Sequence, residues 1–142
     1  MSDSAVTIYY LQMLRPADLN RSDPPDGFAL RRQHPADPAV NKDFYVRVGG
    51  AWNWSERLKW SDQQWRQLVE RDGHSTWVAT MNGETVGYCE WQSDGAGDIQ
   101  LLFFGLLPDQ IGRGIGSAFL SAIIDKAWAE LGTQRVWLHT CS

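Results

Sequence analysis

The clearest pattern in the chain lies in its second half, where apolar and polar positions alternate with a period of two through TWVATM and again through ETVGYCEWQ. Between them sits Asn82-Gly83, a pair that tolerates the positive φ angles of a type I′ turn, so the stretch predicts a β-hairpin. A second loop, SDGAGD, leads into IQLLFFGLLP, the third strand of an antiparallel meander. The period then lengthens: Ile115, Phe119, Ala122, Ile123 and Trp128 recur at helical spacing, and Gly132 marks the end of that helix. RVWLHT follows as an apolar strand. Upstream, AVTIYYLQML at residues 5–14 predicts a first strand that stops at Arg15-Pro16, and the proline-rich stretch from Ala17 to Lys42 predicts a loop with short helical turns. In the tryptophan-heavy run FYVRVGGAWNWSERLKWSDQQWRQLVERDG, Ser61-Asp62 is placed to cap a helix that Asp72-Gly73 ends. Strand, helices, antiparallel strands, helix, strand is an α+β order with one β-α-β crossover. It is expected to be one domain over residues 1–142, with a strand and Trp-rich helical part at 1–73 and a core at 74–142.

Composition narrows the partners more than the fold. The 142 residues are 43% hydrophobic, enough for a core, and the net charge of −4 argues against a broad grip on nucleic acid. Cys89 and Cys141 have neither CxxC nor Cys/His spacing, so no disulfide framework and no metal site is expected, which suits a reducing cytoplasm. The N-terminal stretch has no basic region, and no apolar run reaches the ~20 residues of a membrane span.

The candidate chemistry begins at QIGRGIG, which places three glycines in five positions between a predicted strand and a predicted helix. A helix start leaves amide N–H groups unpaired and favours an anion, and glycines let the backbone come close to it. The same glycines also suit a tight strand-to-helix turn with no ligand. Two other phosphate loops fail on the letters. Gly116 is followed by Ser117-Ala118, where a Walker loop needs Lys-Ser/Thr, and a dinucleotide fingerprint starting at Gly114 needs a small residue where Phe119 stands.

The stretch Leu106-Leu107-Pro108-Asp109-Gln110-Ile111-Gly112-Arg113-Gly114-Ile115-Gly116 resembles the acetyl-CoA signature of the GNAT (GCN5-related N-acetyltransferase) family, a strand ending in V-x-P followed by Q/R-x-x-G-x-G/A and a helix. The surrounding order of elements is similar too. The resemblance implies a mixed, mainly antiparallel central sheet flanked by helices, with residues 74–142 as the acetyl-CoA-binding core. By it, the amides of Gly112, Arg113, Gly114, Ile115, Gly116 and Ser117 hold the pyrophosphate, and the backbone around Leu106 and Leu107 pairs with the pantetheine arm. Ile111 occupies the Q/R slot, with Gln110 one residue early. The family continues after its fifth strand with a helix, which commonly carries a tyrosine or serine acid, and with further strands, whereas this sequence ends at Thr140-Cys141-Ser142. A fragment, a partner chain that completes the fold and a shortened homologue are all compatible with that. RVWLHT is then an apolar edge strand, expected to be covered by a second copy in a homodimer.

The resemblance implies direct attack of a primary amine on the thioester, which needs a base, oxyanion donors and an acid. Glu90 is the candidate base: alternation puts it on one face with Val86 and Tyr88, and apolar neighbours would raise its pKa; pairing with an arginine, or a place on the solvated face, is the competing reading. His139 is a candidate proton relay or a structural hydrogen-bonder. Gln100 stands where the family often has a glutamate and can orient the amine or a water, but cannot take its proton. Trp52, Trp54, Trp60 and Tyr88 are candidate acceptor contacts, since aromatic faces hold cations, with core packing as the alternative for the tryptophans. The leading expectation is N-acetyl transfer from acetyl-CoA to a small-molecule or peptide amine. A weakly catalytic acyl-CoA-binding module comes second, and a structural domain with a glycine turn third.

Overall fold

A computed structural model describes residues 8–19, 22–49 and 57–141. The elements in chain order are β1 (Ile8–Met13), β2 (Phe28–Arg32), α1 (Pro38–Gly49), α2 (Asp62–Val69), β3 (His74–Met81), β4 (Glu84–Ser93), β5 (Asp98–Leu106), α3 (Gly116–Ala129) and β6 (Arg135–Cys141). The strands form one sheet in the order β1-β6-β5-β4-β3-β2. Every neighbouring pair is antiparallel except β5–β6, which α3 joins as the expected crossover.

The predicted hairpin is present, with Asn82 at φ 50° and Gly83 at φ 82°, the two left-handed residues of a type I′ turn. Two parts of the N-terminal reading need correction. Phe28–Arg32 lies inside the predicted loop yet forms β2, the edge partner of β3; its five residues are too short, and too close to prolines, to stand out by alternation. The predicted first strand, β1, sits at the opposite edge and pairs with β6 from Ile8↔Cys141 to Met13↔Val136. The edge of β6 expected to need a second copy is therefore paired within the chain, and the sheet has six strands.

Two layers cover the sheet. On one face, Phe119, Ile123 and Ala127 of α3 pack with Trp77, Ala79, Cys89, Trp91, Ile99, Leu101 and Val136. Arg32 pairs with Glu130 beyond the end of α3 and lies over the Trp77 ring at 4.8 Å, fastening the helix to β2. On the other face, Phe44 and Val48 of α1 meet Val78, Tyr88 and Leu107, while α2 contributes Trp65 and Val69 to a neighbouring cluster around Tyr45. Val86 is an exception to alternation: a bulge between Ala79 and Thr80 leaves it unpaired, and it turns to the α3 face instead of sharing that of Tyr88 and Glu90.

Candidate active site

The only parallel pair in the sheet is also an incomplete one. β5 pairs with β6 from Asp98↔Arg135 to Leu101↔Leu138 and then continues to Leu106 without β6. At the point of divergence β5 carries an extra residue: Trp91 faces Leu101 and Glu90 faces Phe103, so Leu102 is bulged. A bulge bends its strand and sharpens the local twist, which turns the second half of β5 away from β6. Arg135 fastens the opposite end of the paired segment, donating to Asp98 at 3.0 Å and to Gln12 of β1 at 2.7 Å. Among the described residues no strand pairs with this side of β5 beyond Leu101, so its second half is placed to meet an extended ligand.

The glycine stretch lies directly beyond that edge. After a 3-10 turn at Pro108–Gln110, Gly112 and Gly114 adopt φ 85° and 76°, and a Cβ at either would meet nothing within 4 Å. Their role is therefore backbone conformation beside open space, with no neighbour that excludes a side chain. α3 starts without a side-chain cap, and its first turn bond runs from the Phe119 amide to the Ile115 carbonyl at 2.8 Å. The amides of Gly116, Ser117 and Ala118 precede that bond and are the donors a helix start offers an anion. Ile115 is buried under the loop, and exposed Arg113 donates to buried Gln110 at 2.9 Å. Gln110, out of register with the signature, therefore holds the one loop cation, whereas Ile111 in the signature slot is exposed. Leu107 is buried in the α1 cluster, with its amide donating to Val86 O at 2.8 Å; it shapes the strand end from behind.

Glu90 differs from expectation. It is 0% exposed, and both carboxylate oxygens are engaged by Arg57 Nη1, at 2.9 and 3.1 Å. His74 Nε2 lies 2.9 Å from Oε1, and because an ionised carboxylate only accepts, that nitrogen carries a proton. Burial works to raise the carboxyl pKa, but the His74 hydrogen bond and the Arg57 charge outweigh it and hold the group below the usual carboxylate range. The expected upward tuning is overturned, and the arginine pairing is what the structure contains. The guanidinium of Arg57 is itself boxed by rings, 4.2 Å from the Phe103 centroid, 4.9 Å from Trp60 and 5.2 Å from Trp65. Its amide donates to the Tyr45 hydroxyl at 3.0 Å.

This arrangement redistributes the other candidates. Tyr88 is fully buried and stacked on Phe44 at 4.8 Å, so it is a core residue and not an accessible acceptor contact. Burial first, and the Glu90 charge second, push its hydroxyl pKa up. Trp60 does face a cation, but that cation is Arg57. Trp52 and Trp54 lie outside the described residues. Gln100 is half-buried opposite Trp137 and Gln92, and alternation from Ile99 and Leu101 puts it on the face away from α3. His139 is exposed on β6, two residues beyond Trp137, where β6 has parted from β5. The structure thus brings the glycine loop to the end of β5 and places His139 just past the point of divergence, with Gln100 inside the paired segment, but it draws Glu90 into a cluster under α1 and α2. Sequence reasoning missed Arg57 and His74. The available signal was chemical: a buried carboxylate requires a cation, and Arg57 and Lys59 are the basic residues set among tryptophans in WNWSERLKW. Among the described residues, no group of three or more His, Cys, Asp or Glu could hold a metal, and no helix is long and apolar enough to cross a membrane.

Residues 36–142 match the family model described as the acetyltransferase (GNAT) family. No curated protein matches the chain. Among solved structures, a GCN5-related N-acetyltransferase from Sphaerobacter thermophilus superposes with a TM-score of 0.71 at 20% identity, covering 95% of this chain and 42% of that one. One from Kribbella flavida gives 0.63 at 18% identity, covering 95% and 50%, so this chain spans about half the length of such proteins. An aminoglycoside acetyltransferase from an uncultured soil metagenomic sample gives 0.62 at 12% identity, with 80% and 77% covered. At these identities the likeness establishes the fold, and the family match over well over half of the sequence establishes more: the chain belongs to the acetyltransferase (GNAT) family.

Proposed function

We propose that the protein is an acetyl-CoA-dependent N-acetyltransferase acting on a primary amine. The observation that carries this reading is the junction of two features: the half of β5 that β6 does not accompany ends at a loop whose Gly112 and Gly114 leave open space before the uncapped start of α3. The pantetheine arm would pair along β5 as far as Leu106, and the pyrophosphate would take the amides from Gly112 to Ser117, with Arg113 held nearby by Gln110. When bound, the cofactor supplies the thioester. Acetylation of the amine nitrogen would release coenzyme A as its thiol, with the proton given up by the amine accounting for the one the thiolate takes.

Gln100 would orient the amine or a water, and His139 would relay the proton. Trp60 would act on the acceptor side through Arg57, and Trp52 and Trp54, outside the described residues, remain candidate acceptor contacts by the family resemblance. Glu90 serves as a charged anchor, since its oxygens are covered and engaged. The acceptor class is a small-molecule or peptide amine, in line with the aminoglycoside acetyltransferase among the structural relatives. An acidic chain without a membrane-crossing helix among its described residues suits a reducing cytoplasm.

A second reading, an acyl-CoA-binding module with little turnover, is favoured by one observation: the carboxylate expected to act as base is committed to Arg57 and His74. Calorimetry with acetyl-CoA, followed by thiol release with a panel of amines, separates the two. Saturable binding with amine-dependent thiol release is expected; binding without release leaves the module, and no binding removes both.

A further inference from the structure

Three charged or protonatable side chains meet where an apolar core would be simpler to build. Arg57 is 5% exposed, Glu90 0%, and the His74 side chain 1%. Replacing such a buried ion pair by well-packed apolar groups is often neutral or stabilising, so its presence is weak evidence of a stabilising device and invites a positional role. Its contacts indicate which position it sets. Arg57 links four elements of that face: its amide bonds Tyr45 of α1, its guanidinium binds Glu90 of β4, and the guanidinium carbon lies 5.2 Å from the Trp65 ring centroid of α2 and 4.2 Å from that of Phe103 of β5. Tyr45 also meets the Phe103 ring edge-on at 5.3 Å. Phe103 is the residue after the bulge, in the part of β5 that has no β6 partner. Whatever fixes Arg57 therefore fixes the α1–α2 joint against the strand that borders the gap.

We propose that Arg57, held by Glu90 and His74, is a positioning residue that sets the acceptor side of the cleft relative to β5, so that its loss impairs acceptor use without impairing cofactor binding. The proposal rests on the acetyl-transfer reading. Nη1 of Arg57 reaches both Glu90 oxygens while the planar guanidinium lies 4.2 Å from the Phe103 ring centroid and 5.2 Å from that of Trp65; a lysine ammonium keeps the charge without the planar group, and an apolar side chain keeps neither.

The experiment compares Arg57→Met, Arg57→Lys and the isosteric Glu90→Gln with the parent protein, measuring acetyl-CoA affinity by calorimetry and steady-state kinetics for an amine found to turn over. For Arg57→Met, acetyl-CoA affinity is expected to hold while kcat/KM for the amine falls on the order of tenfold to a hundredfold, the scale of a misplaced reactant. Arg57→Lys should fall less, and Glu90→Gln is the variant to read if Arg57→Met does not fold. Unchanged amine kinetics in a folded variant overturn the proposal, as does a parallel loss of acetyl-CoA affinity. If no amine turns over, the transfer reading fails separately, and positioning is read by amide hydrogen exchange on acetyl-CoA-bound protein. Faster exchange confined to the α1–α2 joint and the second half of β5, with α3 unchanged, supports the proposal; unchanged exchange there overturns it.

Discussion

The two faces of the sheet are held by different physics. Under α3 the contacts are apolar side chains from neighbouring strands and one helix, with aromatic pairs such as Phe104–Phe119 at 4.5 Å. Under α1 and α2 the centre is an ion pair linking residues 33 apart in sequence, completed by a histidine 16 residues away and enclosed by rings. Apolar packing is non-directional and tolerant of small shifts, whereas a desolvated pair with both carboxylate oxygens engaged is costly to disturb. The α3 face is therefore suited to carrying a binding loop, and the α1–α2 face to locating a second reactant.

The largest effects should come from breaking each face at its centre. Glu90→Ala leaves the Arg57 guanidinium buried without its partner and should cost about 3–5 kcal/mol in urea denaturation. Phe119→Ala, which empties the contact with Phe28 and Phe104, should cost a similar amount, about 3–5 kcal/mol. pH then distinguishes the two losses. The Glu90 pKa is lower in the folded state than in the unfolded chain, so its contribution is complete above the ordinary carboxylate pKa and is lost as pH falls through the folded value. The stability gap between the parent and Glu90→Gln should accordingly narrow with acidification below the usual carboxylate range, while the gap between the parent and Phe119→Ala should not follow that titration. A Glu90→Gln gap that stays constant into acid would mean the carboxylate is not held charged by its neighbours.

An intermediate effect is expected at the loop, where stability and binding should part. Gly114→Val puts a β-branched residue at φ 76°, a cost of roughly 1–2 kcal/mol in folding, since open space around the Cβ position adds no clash. Acetyl-CoA affinity measured by calorimetry should fall much further than that strain, because the added side chain enters the space proposed for the ligand. Equal affinity in the variant would separate the glycines from cofactor binding.

The same division explains what the letters disclosed. Asn82-Gly83, the helical spacing of α3 and the Gly112–Gly116 run are local signals, each a conformation demanded by the residue that adopts it, and they located the hairpin, the crossover and the proposed cofactor loop. β2 escaped because Phe28–Arg32 is short, basic and mostly exposed, so its place depends on pairing with Trp77–Met81 and not on a pattern of its own. β1 was recognised as a strand but not placed, since nothing in IYYLQM states that its partner lies 130 residues downstream at the other edge. The pKa of Glu90 has the same origin. Alternation grouped it with Tyr88 but left open whether it met apolar neighbours, an arginine or solvent, because the sign of its shift depends on Arg57 and His74, which no spacing rule connects to it.

The smallest expected effect tests the one place on the α1–α2 face that is as local as anything under α3. Ser61 accepts from the Gln64 amide at 3.2 Å, and the Gln64 side chain accepts from the Ser61 amide at 2.8 Å, a reciprocal cap at the start of α2. Ser61→Ala removes one half of that cap and should cost about 1 kcal/mol. Because Trp65, one turn further on, packs against Tyr45 and the Arg57 guanidinium, loosening α2 should also reach the charged cluster. If the two are coupled, Ser61→Ala combined with Glu90→Gln should destabilise by less than the sum of the single variants, since each weakens a helix the other has already freed. Strict additivity in that cycle would show that the cap holds α2 alone and that the cluster owes its geometry to the sheet.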